Sequence, residues 1–312
     1  MPEFFNKFGG SVISTAFDKY CYVTVRHLPP FFDYHTEIAY SKIERVENSG
    51  ELQHPLVKNT MKYLDIRDVR LTYEADLPAR SGLGTSSSFA VGMLNAFHRL
   101  KGKTVDAKQL ADEAIYVERV LCDEAGGWQD QIAAAYGGFN RINFSNDSYE
   151  VIPLDISDSV KQELNDNLIM FFTGFTRLSS QIQKESRSVS EKENELKQML
   201  SLTDDAEKFL KNGQVNEFGS LLDTTWKLKR QTGKNISNEV IDEYYDRAMK
   251  AGALGGKLLG AGGGGFLLFY VPAKKQQAVR EELQGMIEIP FSFTDDGSGI
   301  VFENSEVYSF RQ

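Results

Sequence analysis

The sequence predicts an α+β chain of two domains, in which strands and helices mix without a strict strand–helix–strand repeat. Three observations lead there. Runs rich in β-branched and aromatic residues recur from one end of the chain to the other, as at 20–25 and 266–271. Between such runs apolar residues fall at helical spacing, as with Ala90, Leu94, Phe97 and Leu100. The 312 residues suffice for about two domains with sizeable cores, expected as 1–160 and 161–312.

In chain order, 11–26 and 36–46 read as strands, 55–64 as a helix, and 69–75 as an alternating strand. The glycine-bearing segment 77–88 leads into the helix of Ala90 to Leu100. A second helix is expected over 106–121, with Leu110, Ala114, Val117 and Leu121 on one side. A third begins in Gly126-Gly127-Trp128-Gln129-Asp130-Gln131 and ends at Gly137-Gly138, before a strand over 139–144. The second domain is expected to open near 160 with a strand over 167–174. A long polar helix over 178–212 comes next, its Lys and Glu run read as a solvated face. Helices at 214–230 and 238–251 follow, then the glycine run 260–265 and the strand 266–271. A helix at 274–285 and strands at 287–294 and 299–303 close the chain, an order that suggests a ferredoxin-like second domain.

Composition narrows the function. With 41% hydrophobic and 25% charged residues the chain reads as globular, and its net charge of −9 argues against a broad nucleic-acid-binding face. A small anionic substrate remains compatible with local basic groups. Cys21 and Cys122 have no metal-like spacing and are expected to be reduced, which fits a cytoplasmic protein. His27, His35, His54 and His98 form no ligand pattern. No apolar run reaches membrane-spanning length, and the first residues lack a signal-like core, so neither a membrane nor secretion is expected.

The segment Leu77-Pro78-Ala79-Arg80-Ser81-Gly82-Leu83-Gly84-Thr85-Ser86-Ser87-Ser88 carries the most chemistry. Its glycines permit a turn that other residues resist, and Thr85 or Ser86 can cap the helix that follows. The helix N–H groups then face the loop with the positive end of the dipole, an arrangement that suits a phosphate. Taken alone it is equally an ordinary capped turn. Gly260, Gly262 and Gly265 satisfy GxGxxG literally, yet a strand follows them where a dinucleotide fingerprint needs a helix. A Walker A loop fails too, because Gly252 to Lys257 has the wrong spacing and Leu258 stands where Ser or Thr is required.

Taken together, Pro78-x3-Gly82-Leu83-Gly84-Thr85-Ser86-Ser87 and Lys257-Leu258-Leu259-Gly260-Ala261-Gly262-Gly263-Gly264-Gly265 resemble motifs 2 and 3 of the GHMP kinases. The order and separation of the motifs match that family. The resemblance implies a ribosomal protein S5 domain 2-like N-terminal domain, a ferredoxin-like C-terminal domain, and ATP and Mg²⁺ as cofactors. Further stretches, Gly126-x2-Gln129-Asp130-Gln131, Thr173-Gly174-x2-Arg177, Trp226-x-Leu228-Lys229-Arg230 and 252–257, resemble the branch that phosphorylates D-glycero-D-manno-heptose 7-phosphate. A sugar phosphate is therefore the implied substrate, and another sugar 1-kinase or a binding protein without turnover the alternatives.

The resemblance also assigns roles. Pro78, Gly82, Leu83, Gly84, Thr85, Ser86 and Ser87, with Gly262, Gly263 and Gly264, would bind the nucleotide. Ser86 and Glu118 would hold Mg²⁺, whose preference for hard oxygens suits them. Asp130 would be the catalytic base, its ionised form favoured at a helix start. Gly10 would meet the sugar, and Arg177, Lys229 and Arg230 are candidates for the substrate's distal phosphate. A first family motif, a strand and glycine turn ending in Thr-Asp, is expected just ahead of Pro2-Glu3-Phe4-Phe5-x2-Phe8-Gly9-Gly10. On the order of 30 residues are thus expected to be absent, with a longer native protein and a weak kinase in the present form.

Overall fold

The computed structural model describes residues 2–79, 81–175 and 188–304. Their contacts gather into two compact units, one of residues 1–18, 79–83 and 138–295, the other of 19–78, 84–137 and 296–312. A single cut at residue 160 divides the chain differently, because the first strand and half of the glycine loop belong with the later residues.

The first unit holds two four-stranded sheets. One joins β12 (Phe293–Thr294), β1 (Gly10–Phe17), β6 (Phe139–Ser145) and β7 (Ser148–Pro153) in that order. Its register is fixed by pairs such as Val12 with Ile142 and Phe17 with Phe293. Helix α1 (Pro2–Phe8) lies on this sheet, with the Phe5 ring stacked on Phe144. The other sheet has the order β11 (Ile287–Glu288), β8 (Leu168–Phe172), β10 (Phe266–Tyr270) and β9 (Gly255–Leu258), all antiparallel. Numbered within this sheet the order is 4-1-3-2, which is the ferredoxin-like arrangement expected from the sequence.

The helices of this unit are α6 (Asp158–Asn167), α7 (Glu193–Lys211), α8 (Val215–Gln231), α9 (Glu239–Ala251) and α10 (Ala273–Glu282). Ser157 caps α6 and Asn238 caps α9, each accepting a backbone N–H bond of the first turn. One core packs Leu258, Leu267 and Phe269 against Trp226, Tyr245 and Val279, all of them buried. Each such side chain contributes about 2 kcal/mol on removal from water.

In the second unit the sheet order is β2 (Cys21–His27), β5 (Val69–Ala75), β3 (Thr36–Ala39) and β4 (Ile43–Val46), with β3 and β5 parallel. Helices α2 (Pro55–Tyr63), α3 (Thr85–Leu100), α4 (Ala107–Tyr116) and α5 (Gln129–Tyr136) complete it. Phe89, Ala90, Met93, Leu94 and Phe97 form the buried stripe of α3, as the spacing predicts. Among the described residues no helix is long and apolar enough to cross a membrane.

Several elements differ from the sequence reading. The stretch 287–294 is two short strands in two different sheets, β11 and β12, with Pro290 between them unable to donate a ladder bond. Residues 299–303 form no strand. They are an irregular segment in which Val301 and Phe302 are exposed, tied down by Asn95 donating to Ser298 Oγ (3.1 Å) and Arg99 to Glu303. Of the expected helix over 178–212 the described part is a 3-10 turn at Ser190–Lys192 followed by α7. The expected helix over 106–121 is α-helical only to Tyr116 and ends as a π turn at Val117–Leu121. Helix α1, strand β7, helix α6 and strand β9 were not anticipated, each being short or weakly periodic.

Candidate active site

The glycine loop is crossed by the boundary of the two units, which runs between Leu83 and Gly84, so its halves belong to different units. In the second unit, Gly84 is the N-cap of α3 and adopts a left-handed conformation (φ 70°). This corrects the expectation that Thr85 or Ser86 caps the helix: no side chain does so, and both lie within its first turn. A glycine N-cap leaves the first N–H groups without a side-chain acceptor, a setting suited to an anionic ligand. Thr85 and Ser86 lie toward the surface, whereas Ser87 is buried.

Glu118 enters from the π turn, a distortion of helical geometry often found at functional sites. It is 1% exposed. Ser86 Oγ donates to its Oε1 at 3.2 Å and Ser87 Oγ to its Oε2 at 2.8 Å, while Gln131 Nε2 also donates to Oε2. The expected pair of cation ligands is therefore adjacent. A serine hydroxyl and a carboxylate are hard oxygen donors that fit Mg²⁺, which commonly takes one or two protein oxygens alongside substrate phosphates. Among the described residues no cluster of three or more His, Cys, Asp or Glu side chains could hold a metal ion.

Asp130 is exposed in the first turn of α5. It lies against the loop: a Cβ placed on Gly84 would sit 3.4 Å from Asp130 Cβ and 3.8 Å from its Oδ2. The approach to α5 is held by Arg119, whose Nη1 donates to the carbonyl of Ala125 at 2.8 Å and whose guanidinium covers Gly126. Nearby, desolvation pushes the Glu124 carboxyl up, the Glu118 charge adds to this, and Arg119 offsets part of it.

In the first unit the other half of the loop interlocks with the glycine run. A Cβ on Gly265 would lie 2.0 Å from the Ser81 carbonyl, and one on Gly260 would lie 2.3 Å from Gly82 Cα. Both motifs thus meet backbone to backbone. The run is pinned by Gly263 N–H donating to Ile236 O (2.9 Å) and Gly265 N–H to Phe175 O (3.0 Å), while Thr173 N–H donates to Gly265 O (2.9 Å). Gly262 and Gly264 pack on Ile236 and the Phe175 ring.

The expected substrate residues of this unit are less uniform. Lys229 donates to the carbonyls of Leu258 and Gly260 and lies over the Trp226 ring, so it secures the start of the glycine run. Arg230 pairs with Asp242 at 3.3 Å. Gly10 opens β1 opposite Phe144. Arg177 lies outside the described residues, and Pro78 is exposed ahead of the loop in the second unit. Sequence reasoning quoted Gln131 within a motif without giving it a role and did not single out Arg119, since neither residue type nor spacing marks a side chain that acts on another side chain. Lys257 likewise stood in the second motif without a role; burial pushes its ammonium pKa down.

Residues 54–138 match the model of the GHMP kinases N terminal domain, and 206–288 that of the GHMP kinases C terminal domain. A D-glycero-alpha-D-manno-heptose 7-phosphate kinase of Campylobacter jejuni is 35% identical over 231 residues, 72% of this chain and 68% of that protein. A bifunctional fucokinase/GDP-fucose pyrophosphorylase of Arabidopsis thaliana is 29% identical over 71% of this chain, which spans 22% of that longer protein. Among solved structures, a D-glycero-D-manno-heptose 1-phosphate kinase from Bacteroides thetaiotaomicron superposes with a TM-score of 0.74 at 28% identity, covering 94% of this chain and 90% of that one. The chain belongs to the GHMP kinase family.

Proposed function

We propose that this GHMP kinase transfers the γ-phosphate of ATP, with Mg²⁺, to the C1 hydroxyl of D-glycero-D-manno-heptose 7-phosphate, giving the 1,7-bisphosphate. The observation that carries the reading is the grouping of Asp130, Gly84, Ser86 and Glu118 within one unit. It supplies a base, a phosphate-loop turn and a cation pair, the parts that phosphoryl transfer to a hydroxyl requires. The heptose acceptor is supported by the 35% identity to the Campylobacter enzyme.

In this reading Asp130 takes the proton of the acceptor hydroxyl as its oxygen bonds to the γ-phosphorus and the bond to the ADP oxygen breaks. The first-turn N–H groups of α3 and the hydroxyls of Thr85 and Ser86 orient the phosphates. Ser86 and Glu118 would hold the cation, whose positive charge would offset that of the phosphates. The backbone of 262–264 admits the nucleotide without side chains intervening, and Arg177, Lys229 and Arg230 remain candidates for the distal phosphate.

The test is a panel of acceptors incubated with ATP: heptose 7-phosphate, heptose 1-phosphate, L-fucose, D-galactose and mevalonate, with product masses and phosphate positions read by mass spectrometry and NMR. Phosphorylation of heptose 7-phosphate at C1, with a kcat/KM above all the others, is the expected outcome. Preference for L-fucose, in line with the Arabidopsis relative, would replace the acceptor but keep the sugar kinase. ATP turnover with none of them would point to a binding protein.

A further inference from the structure

The two oxygens of Glu118 are held unequally. Oε2 accepts from Ser87 at 2.8 Å and from Gln131, whereas Oε1 accepts from Ser86 at the longer 3.2 Å. Ser87 comes from α3 and Gln131 from α5, so Oε2 is fixed from two helices. One donor alone would leave the carboxylate free to turn about its own axis; two donors on different elements define its plane. Ser86, at the surface end of the pair, makes the weakest of the three bonds.

Gln131 is an uneconomical way to fill its space. It is fully buried, and its own Oε1 has no hydrogen-bond partner among the described residues. A buried acceptor left unmade costs stability that an apolar side chain of the same volume would not. Its one donor group goes to Glu118. Gln131 also follows Asp130 directly in sequence, so the same helix that carries the base is bonded to the carboxylate.

We propose that Gln131 is a positioning residue for the divalent cation: by clamping Oε2 it turns Oε1 of Glu118, beside the Ser86 hydroxyl, to the cation that accompanies the nucleotide. The inference rests on the Ser86–Glu118 pair of the proposed function and adds the residue that orients it. By fixing α5 to the π turn, the same bond holds Asp130 and Glu118 at a constant separation.

The experiment is an electron paramagnetic resonance titration of the full chain with Mn²⁺ in the presence of a non-hydrolysable ATP analogue. Gln131→Met keeps the volume and removes the donor. Its Mn²⁺ dissociation constant is expected to rise about tenfold, in the range seen when a residue behind a metal ligand is lost. Affinity for the analogue without metal should be unchanged, and the Mg²⁺ concentration needed for half activity should rise more than kcat falls. Ser87→Ala removes the other Oε2 donor and must weaken Mn²⁺ in the same direction, which keeps the question answerable if Gln131→Met does not fold. Unchanged Mn²⁺ affinity in a folded variant overturns the proposal, as does an equal loss of metal-free nucleotide binding. A wild-type chain that binds no Mn²⁺ in this complex overturns instead the Ser86–Glu118 pair beneath it.

Discussion

Asp130 and Glu118 are carboxylates of the same unit in opposite settings, one exposed at a helix start and the other 1% exposed beneath three donors. Their variants should therefore fail differently. Asp130→Asn is expected to lower kcat by roughly 10²–10⁴-fold, the usual contribution of a general base, while nucleotide affinity measured by calorimetry stays intact. Glu118→Gln should mainly raise the Mg²⁺ requirement, and a chelator should abolish turnover of the wild type reversibly; activity without divalent cation would disprove the cation pair. The place of Asp130 in the first turn of α5 was legible in the sequence, because a helix start after two glycines is a local pattern. The environment of Glu118 was not, since its burial depends on a π turn and on a donor thirteen residues further along. The contacts of Lys229 were not legible either, since a basic residue near a glycine run can also hold that run's carbonyls.

Among the elements, the interlocked glycine segments make the sharpest forecast. Gly265→Ala puts a methyl 2.0 Å from the Ser81 carbonyl at a φ of +110°. It should cost about 2–5 kcal/mol and raise the KM for ATP. Gly285→Ala serves as the comparison, since its φ is +99° but nothing lies within 4 Å of the added carbon. Strain alone predicts about 1 kcal/mol there, read from the two thermal midpoints. In the sheet of the second unit, Glu37 is buried on β3 and accepts from Arg45 at 2.8 Å, Tyr34 at 3.0 Å and Arg70. Burial pushes its carboxyl up, but the bonds from Arg45, Tyr34 and Arg70 and the Arg70 charge together outweigh this and the net shift is down. A depressed folded value means stability that is present above the ordinary glutamate value of 4.5 and is lost as pH falls through the folded one. Denaturant titrations of wild type and Glu37→Gln should accordingly converge as the pH drops below that range. Long periodic elements such as α3 were readable because one face is buried along four turns. The division of 287–294 into β11 and β12 was not, since two residues carry no period and their partners, β8 and β1, are distant in sequence; nor was β9, whose four residues are too few to show one.

For the whole molecule, the chain passes between its two contact units at 18/19, 78/79, 83/84, 137/138 and 295/296. The last passage returns residues 296–304 to the second unit, where Ser298 and Glu303 accept from Asn95 and Arg99. Ending the chain at Asp295 should destabilise the second unit by about 2 kcal/mol, from lost hydrogen bonds and one surface ion pair. Hydrogen exchange would detect this as lower protection in α3, with α9 unaffected; uniform loss across both would refute the assignment. The fold class was legible because two motifs, their order and the element pattern agreed. The interleaving was not, because local sequence holds no record of which strand waits for which. That waiting has a consequence during synthesis. Strand β1 leaves the ribosome long before its neighbours, β6, beginning at Phe139, and β12, beginning at Phe293. At bacterial or eukaryotic elongation speeds β1 stays without either partner for roughly 6–25 s, its hydrogen-bonding edges open to any passing strand. The nascent chain should therefore depend on a holding chaperone for β1 after the second unit has begun to fold.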